Sequence, residues 1–230
     1  GRPYRIPTMS SVNRATLSKS LSVSFAVGAY GTAFGAAAVA AGFTVWQACL
    51  LSLLTFTGAS QFAVIGVLGA GGSALAGIAT ASLLGMRNAI YSMIMKPILQ
   101  VTGFKKIIAT QITIDESTAV STAEELRGEN AMRHGFWLTG AGVYFFWNLF
   151  TLLGALGAKA IGDPSMWGLD AAVPAAFLAL VWPRLKSIDD YVLAISAAAL
   201  AIVLTPIVAA GLPIIATALL AVAFAKFKPV

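Results

Sequence analysis

The chain has 230 residues, of which 58% are hydrophobic and only 10% charged, and it carries a net charge of +6. A water-exposed domain of this size carries about 25% charged residues, so a soluble globular fold is excluded. The mean hydropathy of +0.85 points to an all-α polytopic protein with the lipid bilayer as its solvent. The basic residues lie in short segments between apolar runs, which suits topology determinants and not a nucleic-acid-binding face. Cys49 and His134 are the only cysteine and the only histidine. They leave no intrachain disulfide, no cysteine metal centre and little room for zinc or Ser–His–Asp chemistry, so no metal, cofactor or catalytic set is expected.

Residues 1–8, GRPYRIPT, are expected to be a remnant ahead of a native start at Met9, and no cleavage pattern follows the next apolar stretch. A span needs about 20 mainly apolar residues. Candidates are 21–41, 44–68, 74 to about 99, 135–158, 166–184, 190–210 and 212–227, seven in all. GAGGS at 69–73 separates the second from the third, and the third ends near Pro97. Residues 100–134 are the long polar segment, read as a cytoplasmic connection within a single transmembrane domain covering 1–230.

Seven spans put nine Lys and Arg (in 96–134, 184–190 and the C-terminus) on one side, against Arg14, Lys19 and Lys159 on the other. The positive-inside rule then predicts the N-terminus outside and the C-terminus cytoplasmic. FGAAAVAAGFTVWQA at 34–48 is similar to LGALGAKAIGDPSMWGL at 153–169. The expectation is a 3+3 inverted repeat plus one extra helix, a plan common among secondary transporters.

Four places carry polar chemistry. Arg87 and Asn88 interrupt an apolar run, and residues 43–86 before them carry no charge. A charge at mid-bilayer costs about 2.5–3.5 kcal/mol on insertion scales, so it marks either a functional site or, in a shorter span, a side chain that snorkels to the headgroups. Gly85 beside them permits the helix to unwind. Thr57, Gly58, Ser60 and Gln61 sit mid-span in TFTGASQF. They either bond a neighbouring helix or line a polar site, with a break at Gly58 exposing backbone groups. Asp115 and Glu116 belong either to helix caps, since Thr113-x-x-Glu116 and Ser121-x-x-Glu124 are capping-box patterns, or to a functional site, where one of them binds an ammonium, pairs with Arg87 or relays a proton. Asp170 fits a first-turn acid, Asn148 a helix bridge, Pro174 and Pro206 kinks, and Trp46 and Trp182 interfacial anchors.

Together, SVSFAVGAYGTAFGAAAVAAG, LLSLLTFTGASQFAVIGVLGAGGS, LLGMRNAIYSMIMKPIL, ITIDESTAV and WGLDAAVPAAFLAL resemble the AzlC family, the large subunit of branched-chain amino acid exporters, over most of residues 20–185. The family pattern has Arg-His where this chain has Arg87-Asn88, and Thr-Asp-Glu where it has Ile114-Asp115-Glu116. The resemblance implies a bacterial cytoplasmic-membrane exporter of valine, leucine, isoleucine or analogues, driven by a proton or substrate gradient, with a small AzlD-type membrane partner. In that scheme Arg87, Asn88, Ser60, Gln61, Gly58 and Thr57 hold the amino-acid substrate, and Asp115 or Glu116 serves its ammonium or a coupling proton. The competing readings are a passive small-solute channel and a non-transporting assembly subunit. A membrane enzyme is disfavoured, and the chain contains no GxxxxGK[ST] phosphate loop.

Overall fold

The computed structural model describes residues 14–162, 166 and 171–227, and over these the chain is all-helical with no strand. Ten α-helices follow one another: α1 (Arg14–Ala40), α2 (Val45–Leu54), α3 (Gly58–Gly69), α4 (Ala74–Leu99), α5 (Gly103–Gln111), α6 (Asp115–Thr122), α7 (Glu129–Ala160), α8 (Ala172–Val181), α9 (Ile188–Leu204) and α10 (Leu212–Phe227). Two of them, α1 and α7, are by themselves long and apolar enough to cross a membrane, while α2, α3 and α10 are shorter apolar helices. The helices leave large aliphatic side chains on their outer faces. In α4 these are Leu75, Ile78, Met86, Ile90 and Met93, at the three- and four-residue spacing of one helical stripe. In water such stripes would be costly; against lipid they are the expected outer surface.

The chain divides into two compact units, and the boundary falls inside α1, α4 and α7. The first unit holds α1 up to Tyr30 and the run Arg87–Phe150. Its apolar core joins Met95 and Leu99 of α4, Ala109 and Ile112 at the end of α5, and Phe136 of α7. Here α1 and α7 pack without a spacer: a Cβ on Gly28 would fall on Phe146, and one on Gly142 on Ser24. Ser20 accepts from Thr139 Oγ1 at 3.0 Å, and Ser24 donates to the Thr139 carbonyl. Partners at 20/139, 24/142 and 28/146 advance together, so the two helices run parallel.

Within this unit α5 and α6 fold back on each other. Ile98, just before α5, accepts from Arg133 Nε at 2.6 Å, and Ser121, near the end of α6, donates to the carbonyl of Met132 at 2.8 Å. Both ends of the pair therefore lie beside the start of α7. The turn after α6 is held by Glu124, whose side chain is 5% exposed. Glu124 accepts from Thr16 Oγ1 at 3.1 Å, pairs with Arg127 at 2.9 Å and has Lys19 Nζ at 4.0 Å. Burial pushes its pKa up, but the Arg127 and Thr16 hydrogen bonds and the two cations outweigh this and hold it below the usual carboxylate value.

The second unit holds Gly31–Met86 and the chain from Thr151 onward. Its α2 and α3 also form a returning pair. Thr44 starts α2 with a capping box to Gln47, the chain breaks at Thr55–Thr57, and α3 comes back until a Cβ on Gly69 would meet that of Ala41 at 2.9 Å. Gly42, at φ +90°, ends α1 there. Close contact of α1 with α7 recurs, with a Cβ on Gly35 falling on Thr151 and one on Gly154 on Thr32. Phe62 of α3 stacks edge-on against Phe34 and Phe177, and α9 packs along α10.

Several expectations are corrected. The stretch 44–68 is not one span but two helices with a break between them, because Thr55–Thr57 turns the backbone out of helical geometry. The break precedes Gly58, which is the first residue of α3. Gly85 does not unwind α4, which is continuous from Ala74 to Leu99; its missing Cβ makes room for Ser60 Oγ, which a Cβ would approach to 3.3 Å. Residues 100–134, the polar segment, hold α5, α6, a 3-10 turn and the start of α7. Lys19 and Thr16 share Glu124 with Arg127, so the start of α1 and residues 124–127 lie on the same side. That rules out the topology that put Arg14 and Lys19 opposite the 96–134 segment. Pro206 follows the end of α9 and Pro174 sits in the first turn of α8, so neither kinks a helix interior. Asp170 lies outside the described residues.

Two outcomes follow. Gly154→Val should lower detergent-solubilised stability by about 1–3 kcal/mol through overpacking, whereas Gly157→Ala, with nothing within 4 Å of its Cβ position, should be neutral or stabilising in thermal unfolding. Glu124 has a depressed folded pKa, so its stabilisation is present above the unfolded value and lost as pH falls through the folded one. Glu124→Gln should thus be less stable than wild type at pH 7, and the gap should close in acid; a gap that is constant from pH 7 to 3 would contradict this.

Candidate functional site

The polar candidates fall into two sets, one in each unit. In the first unit Arg87 and Asn88 project from α4 off its outward stripe, each half-buried. Arg87 Nη2 lies 3.7 Å from Asp115 Oδ1, with both side chains 28% exposed. This is an ion pair wider than a hydrogen bond and not a bidentate clasp. Arg87 Nε and Asn88 Oδ1 are buried and have no hydrogen-bond partner. From Arg87 to the end of α4 at Leu99 is about 18 Å at 1.5 Å per residue, farther than a guanidinium reaches, and its charge is directed at Asp115 instead.

Asp115 and Glu116 open the first turn of α6, where backbone N–H groups favour negative charge. The two capping boxes that the sequence offers do not form. Thr113 bonds back to the Ala109 carbonyl at 2.6 Å, one turn too early to cap α6. Ser117 does the capping: its Oγ accepts from Ile114 N at 3.0 Å and donates to the Ile112 carbonyl at 2.8 Å. Ser121 likewise bonds Met132 and does not cap with Glu124. The α5–α6 break therefore closes its backbone accounts with Thr113 and Ser117. Further along α6, Thr118 Oγ1 is buried without a hydrogen-bond partner, and in α7 Asn148 spends its amide N–H on the Tyr144 carbonyl of its own helix, so it does not bridge helices.

In the second unit the α2–α3 break gathers hydroxyls. Thr57, extended at φ −155°, gives α3 no side-chain cap. Its Oγ1 donates to Ser60 Oγ at 2.9 Å, and Ser60 donates to the Ala81 carbonyl of α4 at 2.8 Å. Ser60 is thus a helix-bridging hydroxyl. Gln61 beside it is fully buried, and neither amide atom has a hydrogen-bond partner. An orphaned buried polar group of this kind costs about 1–3 kcal/mol, which an unused packing residue would not carry. A cavity of about 530 Å³ opens between α2, α3 and α4, with Thr55, Thr57, Ser60 and Ser82 as its polar wall and Leu51, Val64, Ile78 and Met86 as its apolar one. The size is that of a small-molecule pocket. Gln61 does not line it. Thr55 and Ser82 escaped the sequence reading, although a hydroxyl one turn before Arg87 on the third span was a usable signal.

The comparisons agree with this picture of an apolar helical protein. The profile of the AzlC family, described as "AzlC protein", matches residues 22–161. A protein of Archaeoglobus fulgidus, named as an uncharacterized membrane protein, is 37% identical over 157 residues, covering 66% of this chain and 67% of its own. No solved structure matches.

If Ser60 bridges α3 to α4, Ser60→Ala should lower thermal stability by about 1 kcal/mol, and Gly85→Ala by a similar amount; unchanged unfolding of both would remove the bridging role.

Proposed function

The chain belongs to the AzlC family, and from that premise we propose that it is the large subunit of a secondary exporter of branched-chain amino acids in the bacterial cytoplasmic membrane, acting with a small AzlD-type membrane subunit. The observation that carries the reading is Arg87 facing Asp115 across 3.7 Å. An α-amino acid is a zwitterion, and a loosely spaced guanidinium and carboxylate are its complement. The substrate carboxylate takes Arg87 with Asn88 beside it, and its ammonium takes Asp115. Glu116, in the same helical turn, serves the ammonium or a coupling proton. In an apolar surrounding such a pair is worth more to a charged solute than in water. The second unit has, by itself, a cavity on which Thr57 and Ser60 face an apolar wall, with Gly58 and Gln61 in the same stretch of α3; it suits a small solute with an aliphatic part.

The membrane arrangement that fits is six crossings, by α1, α4, α7, α8, α9 and α10, with α2–α3 and α5–α6 as re-entrant pairs. Alternation then places eleven Lys and Arg residues from Arg14 onward on one side and only Lys159 on the other, Arg87 lying within the membrane. By the positive-inside rule the crowded side is cytoplasmic, and both termini lie there. This bias is steeper than the nine to three obtained from seven uninterrupted spans.

Efflux of labelled valine, leucine, isoleucine and methionine, from cells with and without this chain and its small partner, tests the cargo; if none moves, the exporter reading fails, and efflux without exchange acceleration indicates a pore. Arg87→Lys and Asp115→Asn should each cut efflux at least tenfold, the scale of losing a charged hydrogen bond of about 1.5–3 kcal/mol. On a Cys49→Ala background, Ser18→Cys and Leu126→Cys should react with an impermeant maleimide from the cytoplasmic side only; labelling of the two from opposite sides would defeat the topology.

A further inference from the structure

A second cavity, unused by the transport site, lies in the first unit where α4 ends and α5 begins. It measures about 530 Å³. Its polar wall is Lys96, Lys106, Thr102 and Thr110, its apolar floor includes Met93 and Leu99, and no carboxylate lines it. Neither lysine has a carboxylate partner among the described residues.

The local chemistry runs against ordinary helix design. Thr102 leaves α5 without a side-chain cap, and its first turn holds no acid; Lys105 and Lys106 stand there instead. Two cations beside unsatisfied backbone N–H groups repel the positive end of the helix dipole, and Lys96 adds a third charge from α4. Such an arrangement is relieved by an anion. Its surroundings say which kind: Phe104 is 75% and Ile107 66% exposed on the same short helix, and Met93 and Leu99 extend the apolar surface into the cavity. A free inorganic anion has no use for that floor, while a headgroup phosphate with an acyl chain attached uses both parts.

We propose that this cavity binds an anionic phospholipid, its phosphodiester held by Lys96 and Lys106 with the Thr102 hydroxyl, and its acyl chain laid along Met93 and Leu99. The inference rests on the membrane reading above but is independent of what is exported. Under the proposed orientation the cavity opens on the cytoplasmic side, where positively charged loops meet anionic lipid.

The test uses the purified full chain in neutral detergent, with thermal unfolding followed on addition of phosphatidylglycerol, phosphatidylcholine or inorganic phosphate. Phosphatidylglycerol should raise the midpoint by several degrees, and the other two should not. Lys96→Gln/Lys106→Gln should weaken phosphatidylglycerol binding about thirtyfold, about fivefold for each lysine near a phosphate. Lys105→Gln, outside the cavity lining, should weaken binding less than either lining variant, and Lys96→Arg/Lys106→Arg should retain it. Where the double variant does not purify, each single Gln variant should still show its fivefold loss. An equal effect of phosphatidylcholine, a full effect of phosphate alone, or an equal loss in Lys105→Gln would overturn the proposal. Absence of phosphatidylglycerol binding by the unmutated chain, with efflux of the amino acids intact, would sink this site and leave the exporter reading standing; the reverse result would do the opposite.

Discussion

In apolar surroundings every backbone N–H and C=O has to be satisfied by the chain itself, and the two interrupted helix pairs are where this constraint shapes the molecule. A continuous helix meets it automatically. At Thr55–Thr57 and at Ile112–Ile114 the ladder stops. Thr113 and Ser117 bond to the backbone at the second break. At the first, Thr57 and Ser60 form a relay into the Ala81 carbonyl and so tie α3 to α4. Polar side chains are concentrated at both breaks. Once present, they make the breaks the places where a polar solute meets something other than aliphatic carbon. Asp115 and Glu116 follow the same logic, since the open first turn of α6 favours their charge, and the charge in turn draws Arg87.

The close contact of α1 with α7 gives these breaks their setting. Gly28 and Gly142 in one unit, and Gly35 and Gly154 in the other, let the two helices approach without an intervening side chain. Such small-residue contacts replace the hydrophobic driving force that is missing between helices in lipid. Ser20, Ser24 and Thr139 add hydrogen bonds along the seam. At one end Glu124 fastens the turn after α6 to Thr16 and Lys19. The α5–α6 pair returns to the end of α1 at Thr16, and the α2–α3 pair returns to the end at Ala41.

Much of the fold was readable without coordinates, as were the residues of interest. A low charge content and long apolar runs identify an all-helical chain, and Arg87 is conspicuous because nothing charged precedes it for 67 residues. The breaks were harder. Hydropathy sums over a window, and the stretch 44–68 is as apolar with its break as it would be without one. Residues 100–134 failed in the opposite direction. Their Lys, Asp and Glu lowered the apolar score, so a packed hairpin that buries Ile112, Ile114, Ser117 and Ser121 looked like a connection. Capping patterns misled by one residue, because Thr113 and Glu116 match the motif while Ser117, already inside the helix, makes the bonds.

What the sequence determined by itself was the solvent, the helical class, the family pattern and the residues with chemistry to offer. Those follow from composition and order along the chain. What only the tertiary structure decided was pairing and direction: that α2–α3 and α5–α6 turn back, that Lys19 and Arg127 share one carboxylate, and that Arg87 faces Asp115. Each depends on groups far apart in the chain, 28 residues for Arg87 and Asp115 and 108 for Thr16 and Glu124. No local pattern of hydropathy or spacing encodes such a distance; it is set by which helices can approach closely enough, and that is decided by the glycines only once their partners are in place.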